Sequence, residues 1–155
     1  MSEIIIRKAK KSDFDSILKL AKQLWDTEKV FFSNLKDDYF ADEQAKSLLL
    51  KNILKRKNHF LVAEENNKII GYIYGYVSRA DLYKKKVGYI DQIVVDEGYR
   101  RQGICNKLMN SFTEIMKKYG CGYIELNAFK QNIPAVECYK KYGFKEYSVF
   151  YMKKL

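Results

Sequence analysis

The sequence predicts an α/β fold, with one mixed central sheet flanked by helices in the order β-α-α-β-β-β-α-β-α-β. Short apolar runs of strand length alternate with segments whose apolar residues recur at helical spacing. That alternation places helices on the faces of a sheet. The chain has 155 residues, 47% of them apolar, enough for one domain around one core. It holds a single proline, and no repeat, low-complexity segment or linker divides it. Residues 1–155 therefore read as one domain.

The elements follow in order. Ile4, Ile5 and Ile6 form a short apolar strand within residues 1–11. Ser12 stands three residues before Asp15, a capping-box spacing that predicts a helix start. Phe14, Ile17, Leu18, Ala21, Leu24 and Trp25 continue that helix at its own period. A second helix is predicted over 42–55, with Leu48, Leu49, Ile53 and Leu54 inward. Residues 60–63 and 69–77 read as strands, joined into a hairpin by the polar turn 65–68. Residues 79–87 are polar and lysine-rich, a connection, and 88–95 read as the next strand. Over 103–119, Ile104, Leu108, Phe112, Ile115 and Tyr119 make one apolar stripe, and Gly120 stands where a helix C-cap is wanted. Residues 123–129 read as a strand. Pro134 opens a short helix that ends at Gly143. Residues 147–152 complete the pattern as a last strand.

Formal net charge is +10. A basic chain attracts nucleic acid, acidic surfaces or a phosphorylated cofactor. The plainer account of most of these lysines is a solvated surface, and no arginine-rich tract or nucleic-acid module motif appears. Nucleic acid is thus not the expected partner. No apolar run approaches the roughly 20 residues that span a bilayer, and residues 1–11 lack the long apolar stretch of a signal peptide. The expected location is cytoplasmic, with no membrane partner. The three cysteines, Cys105, Cys121 and Cys138, show no CxxC spacing and are expected to be buried, reduced thiols. His59 is the sole histidine, so no zinc site, and no metal, is expected.

The informative stretch is 95–105, Val95-Asp96-Glu97-Gly98-Tyr99-Arg100-Arg101-Gln102-Gly103-Ile104-Cys105. It joins a strand to an amphipathic helix. The first N–H groups of that helix have no internal partner, and the helix dipole adds partial positive charge there. Such a turn cradles a pyrophosphate. Gly103 lets an anion approach the backbone, and Arg100 and Arg101 add charge. Taken alone, the same residues also fit a surface turn with two solvated arginines.

The turn resembles the acetyl-CoA motif of the GNAT superfamily of N-acetyltransferases, R/Q-x-x-G-x-G/A. Arg100, Gly103 and Cys105 occupy its fixed places, with cysteine departing from Gly or Ala, and Glu97 stands where many members have proline. Downstream, Asn132, Ala135 and Tyr139, then Gly143-Phe144, resemble the family's N-x-x-A-x-x-x-Y…G-F segment. The resemblance extends over nearly the whole chain and is clearest over 88–144. It implies acetyl-CoA as cosubstrate. The turn residues Arg100, Arg101, Gln102, Gly103, Ile104 and Cys105 would bind it, together with Asn132. Backbone amides of Ile93, Val94 and Val95 would hold its pantetheine arm and polarise the thioester carbonyl.

The chemistry follows from the acceptor amine. An ammonium has a pKa of about 10.4 and no lone pair, so it must lose a proton before attack. Tyr139 matches the family's tyrosine acid, which protonates the leaving thiolate; the other reading of a helix tyrosine is core packing. Asp91 is the candidate base, because Asp91 and Gln92 interrupt an apolar strand where several members carry an acid. A structural carboxylate facing solvent remains the alternative. Glu125, on the next strand, ranks behind it. Cys138 adjoins Tyr139, but no histidine is placed to activate it, so direct transfer in a ternary complex is expected.

The resemblance implies that the first two helices and the loop between them wall the acceptor site. Here Asp26, Glu28, Asp37, Asp38, Asp42 and Glu43 outnumber Lys29 and Lys36. An acidic wall suits a cationic acceptor such as a polyamine, an amino sugar, or a protein lysine or N-terminus. The same acids also fit ordinary helix-end positions. Phe31, Phe32 and Tyr39 either pack on the acceptor's carbon chain or belong to the core. Two other functions stay open, a non-catalytic CoA-binding sensor and a basic nucleic-acid-binding module. The sequence also leaves a homodimer open.

Overall fold

The computed structural model describes residues 3–78 and 83–155. Its elements are β1 (Ile5–Lys8), α1 (Phe14–Glu28), α2 (Glu43–Leu54), β2 (Asn58–Glu65), β3 (Lys68–Ser78), β4 (Lys86–Val95), α3 (Ile104–Lys118), β5 (Cys121–Leu126) and α4 (Ile133–Tyr142). The five strands lie in sequence order in one sheet. The first three pairings are antiparallel and β4 pairs with β5 in parallel. Each antiparallel pair needs only a short turn, whereas the parallel step needs a crossover, which α3 supplies. The β2–β3 turn works because Asn66 and Asn67 adopt φ of 49° and 62°, the pair of positive values a two-residue hairpin demands.

Helices cover both faces. Under α1 and α2, Ile17, Leu20, Ala45, Leu49 and Ile53 pack on Phe60, Tyr72 and Tyr74. On the other face Leu108, Met109, Phe112 and Met116 of α3 pack on Leu61, Ile73 and Ile90, with Tyr139 and Tyr142 of α4 alongside. Tyr142 ties α4 to α3 through Asn110 Oδ1 at 2.8 Å and Thr113 Oγ1 at 3.2 Å.

The structure departs from expectation at four places. The turn before α1 is closed by Asp13 rather than by a Ser12–Asp15 box: Asp13 accepts the Lys10 N–H at 2.8 Å and two guanidinium bonds from Arg7 at 2.8 and 2.9 Å. Arg7 gives Asp13 a partner that exposed Asp15 lacks. On α2 the buried stripe is Ala45, Leu49 and Ile53, one residue every helical turn, while Leu48 and Leu54 are 51% and 54% exposed. Tyr119, expected on the α3 stripe, lies past the helix end and meets His59 edge-on at 4.8 Å. Finally, residues 147–152 form no strand. A strand exists only through pairing, and among the described residues nothing pairs with the segment; Tyr147 and Phe150 are 94% and 91% exposed. Of the lysine-rich connection expected over 79–87, residues 79–82 lie outside those described.

Candidate active site

β4 is the floor of the site. Its pairing with β5 runs only from Lys86–Cys121 to Ile90–Leu126. Beyond Ile90 the two chains part, and residues 91–95 keep a ladder only with β3. The backbone groups of this stretch that point away from β3 therefore face a gap. Ile93, Val94 and Val95 all lie on that free edge.

A β-bulge sits where the strands part. Tyr74 pairs with Gln92 and Gly75 pairs with Ile90, so Asp91 is an extra residue with no partner on β3. A bulge re-aims side chains, and bulges gather beside active sites. Here it turns two consecutive polar residues toward the α1 face. Gln92 Oε1 accepts the Tyr72 hydroxyl at 2.8 Å, and the Asp91 charge is felt by Tyr72, Tyr74 and Tyr76 on the same face. Burial first, then Asp91, pushes the Tyr74 phenol up to about 12. Two polar residues in a row within an apolar strand were the sequence signal for this feature.

Glu28, the last residue of α1, looks onto the same spot. Its carboxyl is raised above the usual range, chiefly by burial and then by the like charge of Asp91. Asp91 is exposed as a whole residue, yet desolvation raises its carboxyl too. Among the described residues neither carboxylate has an ion pair or a side-chain hydrogen bond. Glu28 also stands at a helix C-terminus, where the dipole disfavours an anion. The sequence placed Glu28 only as one acid among six; its meeting with Asp91 depends on where α1 ends over the bulge.

Tyr139 completes the group from α4. It is half-buried, and burial followed by the nearness of Cys105, Cys138 and Glu28 drives its phenol well above the ordinary value. The hydroxyl therefore keeps its proton at neutral pH. Cys138 lies 3.1 Å from Cys105, Sγ to Sγ, and burial, then Cys138, pushes the Cys105 thiol up, which makes it a poor nucleophile. His59, the one histidine, stands at the far end of α3 beside Tyr119.

The turn into α3 leaves the first amides of that helix without a side-chain cap. Asp96 accepts the Gly98 N–H at 3.0 Å and closes a 3-10 turn over Glu97–Tyr99. Arg100 Nε donates to the Val95 carbonyl at 3.3 Å, and its Nη2 stands 3.8 Å from Glu97 Oε1, with the arginine side chain 50% exposed. Arg101 and Gly103 then take φ of 63° and 76°. Left-handed residues before a helix turn successive N–H groups to one side. No side chain caps α3, and a Cβ on Gly103 would meet nothing within 4 Å. The free amides thus look onto open space, which a phosphate fits. Gln102 and Gly103 are exposed, Cys105 half-buried and Ile104 buried. Asn132, expected at the cofactor, caps α4: its side-chain oxygen accepts the Ala135 N–H at 3.4 Å.

The other expected acids do not gather at the site. Asp26 pairs with Lys29 and Glu43 with Lys46, while Asp42 caps α2 through Gln44 N–H at 2.8 Å. These are the helix-end uses that compete with an acidic wall. Tyr39 stacks on Trp25 at 4.6 Å in the core, whereas Phe31 meets Phe129 at 6.0 Å across the mouth. Beside them a hollow lined by Gln23, Asp26, Thr27, Val30, Phe31 and Glu97 lies between α1 and the anion turn. Glu125 lies on β5 opposite Tyr89, where its charge reaches Tyr76.

Residues 18–144 match the model of the acetyltransferase (GNAT) family. The chain belongs to the GNAT family. It is 30% identical to an uncharacterized N-acetyltransferase of Methanocaldococcus jannaschii, over 93% of this chain and 62% of that protein. It is 36% identical to an N-alpha-acetyltransferase of Sulfurisphaera tokodaii, over 58% of each chain. It is 28% identical to the thialysine N-epsilon-acetyltransferase of Bos taurus, over 92% of this chain and 85% of that one. The chain thus spans about three fifths of the first two relatives. Among solved structures, a Bacillus halodurans protein superposes with a TM-score of 0.87 at 22% identity, covering 97% of this chain and 99% of that one. An aminoglycoside N-acetyltransferase in complex with CoA superposes with a TM-score of 0.75 at 17% identity, covering 100% and 97%. These likenesses show the GNAT fold. Among the described residues no helix is long and apolar enough to cross a membrane.

Proposed function

We propose that this GNAT chain is an acetyl-CoA-dependent N-acetyltransferase whose acceptor is a primary amine on a cationic molecule. The observation that carries the reading is the unpaired Glu28–Asp91 pair beside a protonated Tyr139. Two carboxylates with no cation of their own form a site that a cation completes. The names of two similar proteins agree with it, since one acts on thialysine and the other on aminoglycosides. A polyamine, an amino sugar and a lysine side chain share that chemistry.

Acetyl-CoA supplies an activated acetyl group on a thioester. The uncapped α3 amides with Arg100, Arg101, Gln102 and Gly103 would hold its phosphates, and the free edge at Ile93, Val94 and Val95 its pantetheine amides. Ile104 and Cys105 back the turn, and Asn132 fixes α4 and hence Tyr139. Asp91 takes the ammonium proton, directly or through water, so that the amine gains its lone pair. Glu28 holds the acceptor's positive charge against that spot. The Tyr139 hydroxyl delivers its proton to the departing thiolate, and direct transfer needs no acyl-enzyme. The three free thiols suit the reducing cytoplasm, where we place the chain.

Two measurements test the proposal. An acceptor screen with acetyl-CoA, read as free thiol release, should find turnover on polyamines, amino sugars or lysine peptides. Turnover confined to uncharged amines would reject the cationic acceptor, and CoA binding without turnover on any amine would leave a sensor. Calorimetry on Gly103→Val should show CoA affinity largely lost in a folded protein. Unchanged affinity would remove the anion turn from the site. The strained φ at Gly103 predicts that this variant also melts lower, by about 1–2 kcal/mol of stability.

A further inference from the structure

Two of the three thiols stand together. Cys105 lies on the first turn of α3 and Cys138 on α4, 33 positions later in the chain, with their sulfurs 3.1 Å apart. Cys121 opens β5, beyond the other end of α3. Expected to be buried, all three are half-buried; Cys105 and Cys138 meet at the seam of two helices that lie on the surface of the sheet. Cys105 also holds the place where the resembled motif has Gly or Ala, and neither of those could make this contact.

Among the described residues no third histidine, cysteine or carboxylate joins the pair in a metal-binding set. The chemistry that two adjacent thiols share is loss of two electrons and two protons to a disulfide. Positioned groups react readily when their atoms start about 3–3.5 Å apart, and the two sulfurs stand within that range. A disulfide bond is about 2.05 Å long, so closing it draws the sulfurs together by about 1 Å.

We propose that Cys105 and Cys138 are an oxidation site, which a hydroperoxide converts to a disulfide that ties α4 to the start of α3 and reversibly slows acetyl transfer. Cys138 acts first, since burial keeps the proton on Cys105. Its sulfur, as thiolate, attacks one peroxide oxygen. The O–O bond breaks, the far oxygen leaves as water (or an alcohol) once protonated, and Cys138 becomes a sulfenic acid. The Cys105 sulfur then attacks the sulfenic sulfur. The S–O bond breaks, and the hydroxyl departs as water with the Cys105 proton. The peroxide is reduced by two electrons and the two thiols are oxidised by two. The effect on transfer rests on the function proposed above. Cys105 is two residues past Gly103 of the phosphate turn, and Cys138 directly precedes Tyr139. A shift of about 1 Å in positioned groups costs up to about a hundredfold in rate. In a reducing cytoplasm such a bond is transient, which suits sensing rather than structure.

Hydrogen peroxide in slight excess over the chain, followed by thiol blocking and peptide mass mapping, tests the pair. The intact mass should fall by two hydrogens, one crosslinked peptide should join Cys105 to Cys138, and Cys121 should stay free. On the best acceptor, kcat should fall about tenfold or more, amides of 133–142 should exchange more slowly, and dithiothreitol should reverse all of these changes. Cys138→Ala should keep the wild-type kcat when reduced and show neither crosslink nor peroxide inhibition. Oxygen added to Cys138 without a crosslink overturns the proposal, as does a crosslink through Cys121. So does a crosslink that leaves both kcat and α4 exchange unchanged, or equal peroxide inhibition of Cys138→Ala. If that variant does not fold, reversal by dithiothreitol in the wild type decides: recovered kcat with loss of the crosslink supports the pair, and kcat that stays low rejects it. A chain with no turnover before oxidation fails the functional reading alone, and the mass map with α4 exchange still decides the pair.

Discussion

Two groups of carboxylates in this molecule have opposite fates. Near β1, Asp13 is only 7% exposed, and Arg7 bridges it to Glu64 on β2. The Arg7 hydrogen bond holds the Asp13 carboxyl below its usual value. At the end of α1, Glu28 and Asp91 face each other with no cation among the described residues, and both are raised. The first group has found its counter-charge within the fold and holds the chain together. The second lacks one and resists ionisation, at the mouth of a gap between strands. Satisfied charge marks structure here, and unsatisfied charge marks the candidate site where the proposed cationic acceptor would bind.

The contrast can be broken first at Tyr139, the third member of the unsatisfied group. Tyr139→Phe keeps the ring and removes the proton, so kcat should fall by about 10²–10⁴ with little change in CoA affinity or Tm. Near-normal first-turnover rates in the variant would reduce the group to a packing feature. Next comes the satisfied group. Arg7→Ala strands a buried carboxylate, and stability should drop by about 1.5–3 kcal/mol in urea unfolding, while the folded enzyme keeps its kcat/KM. The Asp13 pKa is depressed in the folded state, so its contribution is present above the unfolded pKa and is lost as pH falls through the folded one. Arg7→Ala should abolish that acid-side loss.

Glu28→Gln sharpens the comparison in the other direction. KM for a cationic acceptor should rise about tenfold, equivalent to ~1.4 kcal/mol, while the variant melts higher than wild type at neutral pH. The sign follows from the raised folded pKa: folding favours the protonated form, so the wild type loses stability as pH rises through that range. The gain in Tm should therefore vanish as pH falls and Glu28 protonates. An unchanged KM and a lower Tm at neutral pH would place Glu28 among the structural acids. The smallest effect is spectroscopic. In Asp91→Asn the Glu28 carboxyl, followed by carbon NMR, should titrate lower than in wild type, since the like charge is gone while burial remains.

The two halves of the site differ in how far the sequence showed them. The turn proposed to hold the cofactor was legible as a strand-to-helix turn because its parts are contiguous: Arg100 to Cys105 bring a glycine, a helix start and two cations within one short stretch. The helix at 104–118 and the hairpin at 58–78 were legible for the same reason, being local in period and turn chemistry. Glu28 could not be singled out, because nothing local marks it: Asp26 meets Lys29 by i,i+3 spacing within one turn, whereas only the packing of α1 over β4 brings Glu28 to Asp91. The last strand failed for a related reason. Residues 147–152 have the composition of a strand, but a strand is a relation between two segments, and among the described residues nothing pairs with this one.

The bulge at Asp91 carries one more consequence, for how such a site could arise. On β4, Ile90 and Ile93 face α3 while Gln92 and Val94 face α1. Take Asp91 out and that alternation is complete, with Ile90 following directly on Gly75 and Gln92 on Tyr74 as the ladder already pairs them. Every neighbour would keep its face. The acid is therefore an added residue in an otherwise regular strand. One inserted codon could bring it in, with no core residue displaced, and one deleted codon could remove it. A lineage of such chains could gain or lose the candidate base by length rather than by substitution, in a single step that the hydrophobic core would not register.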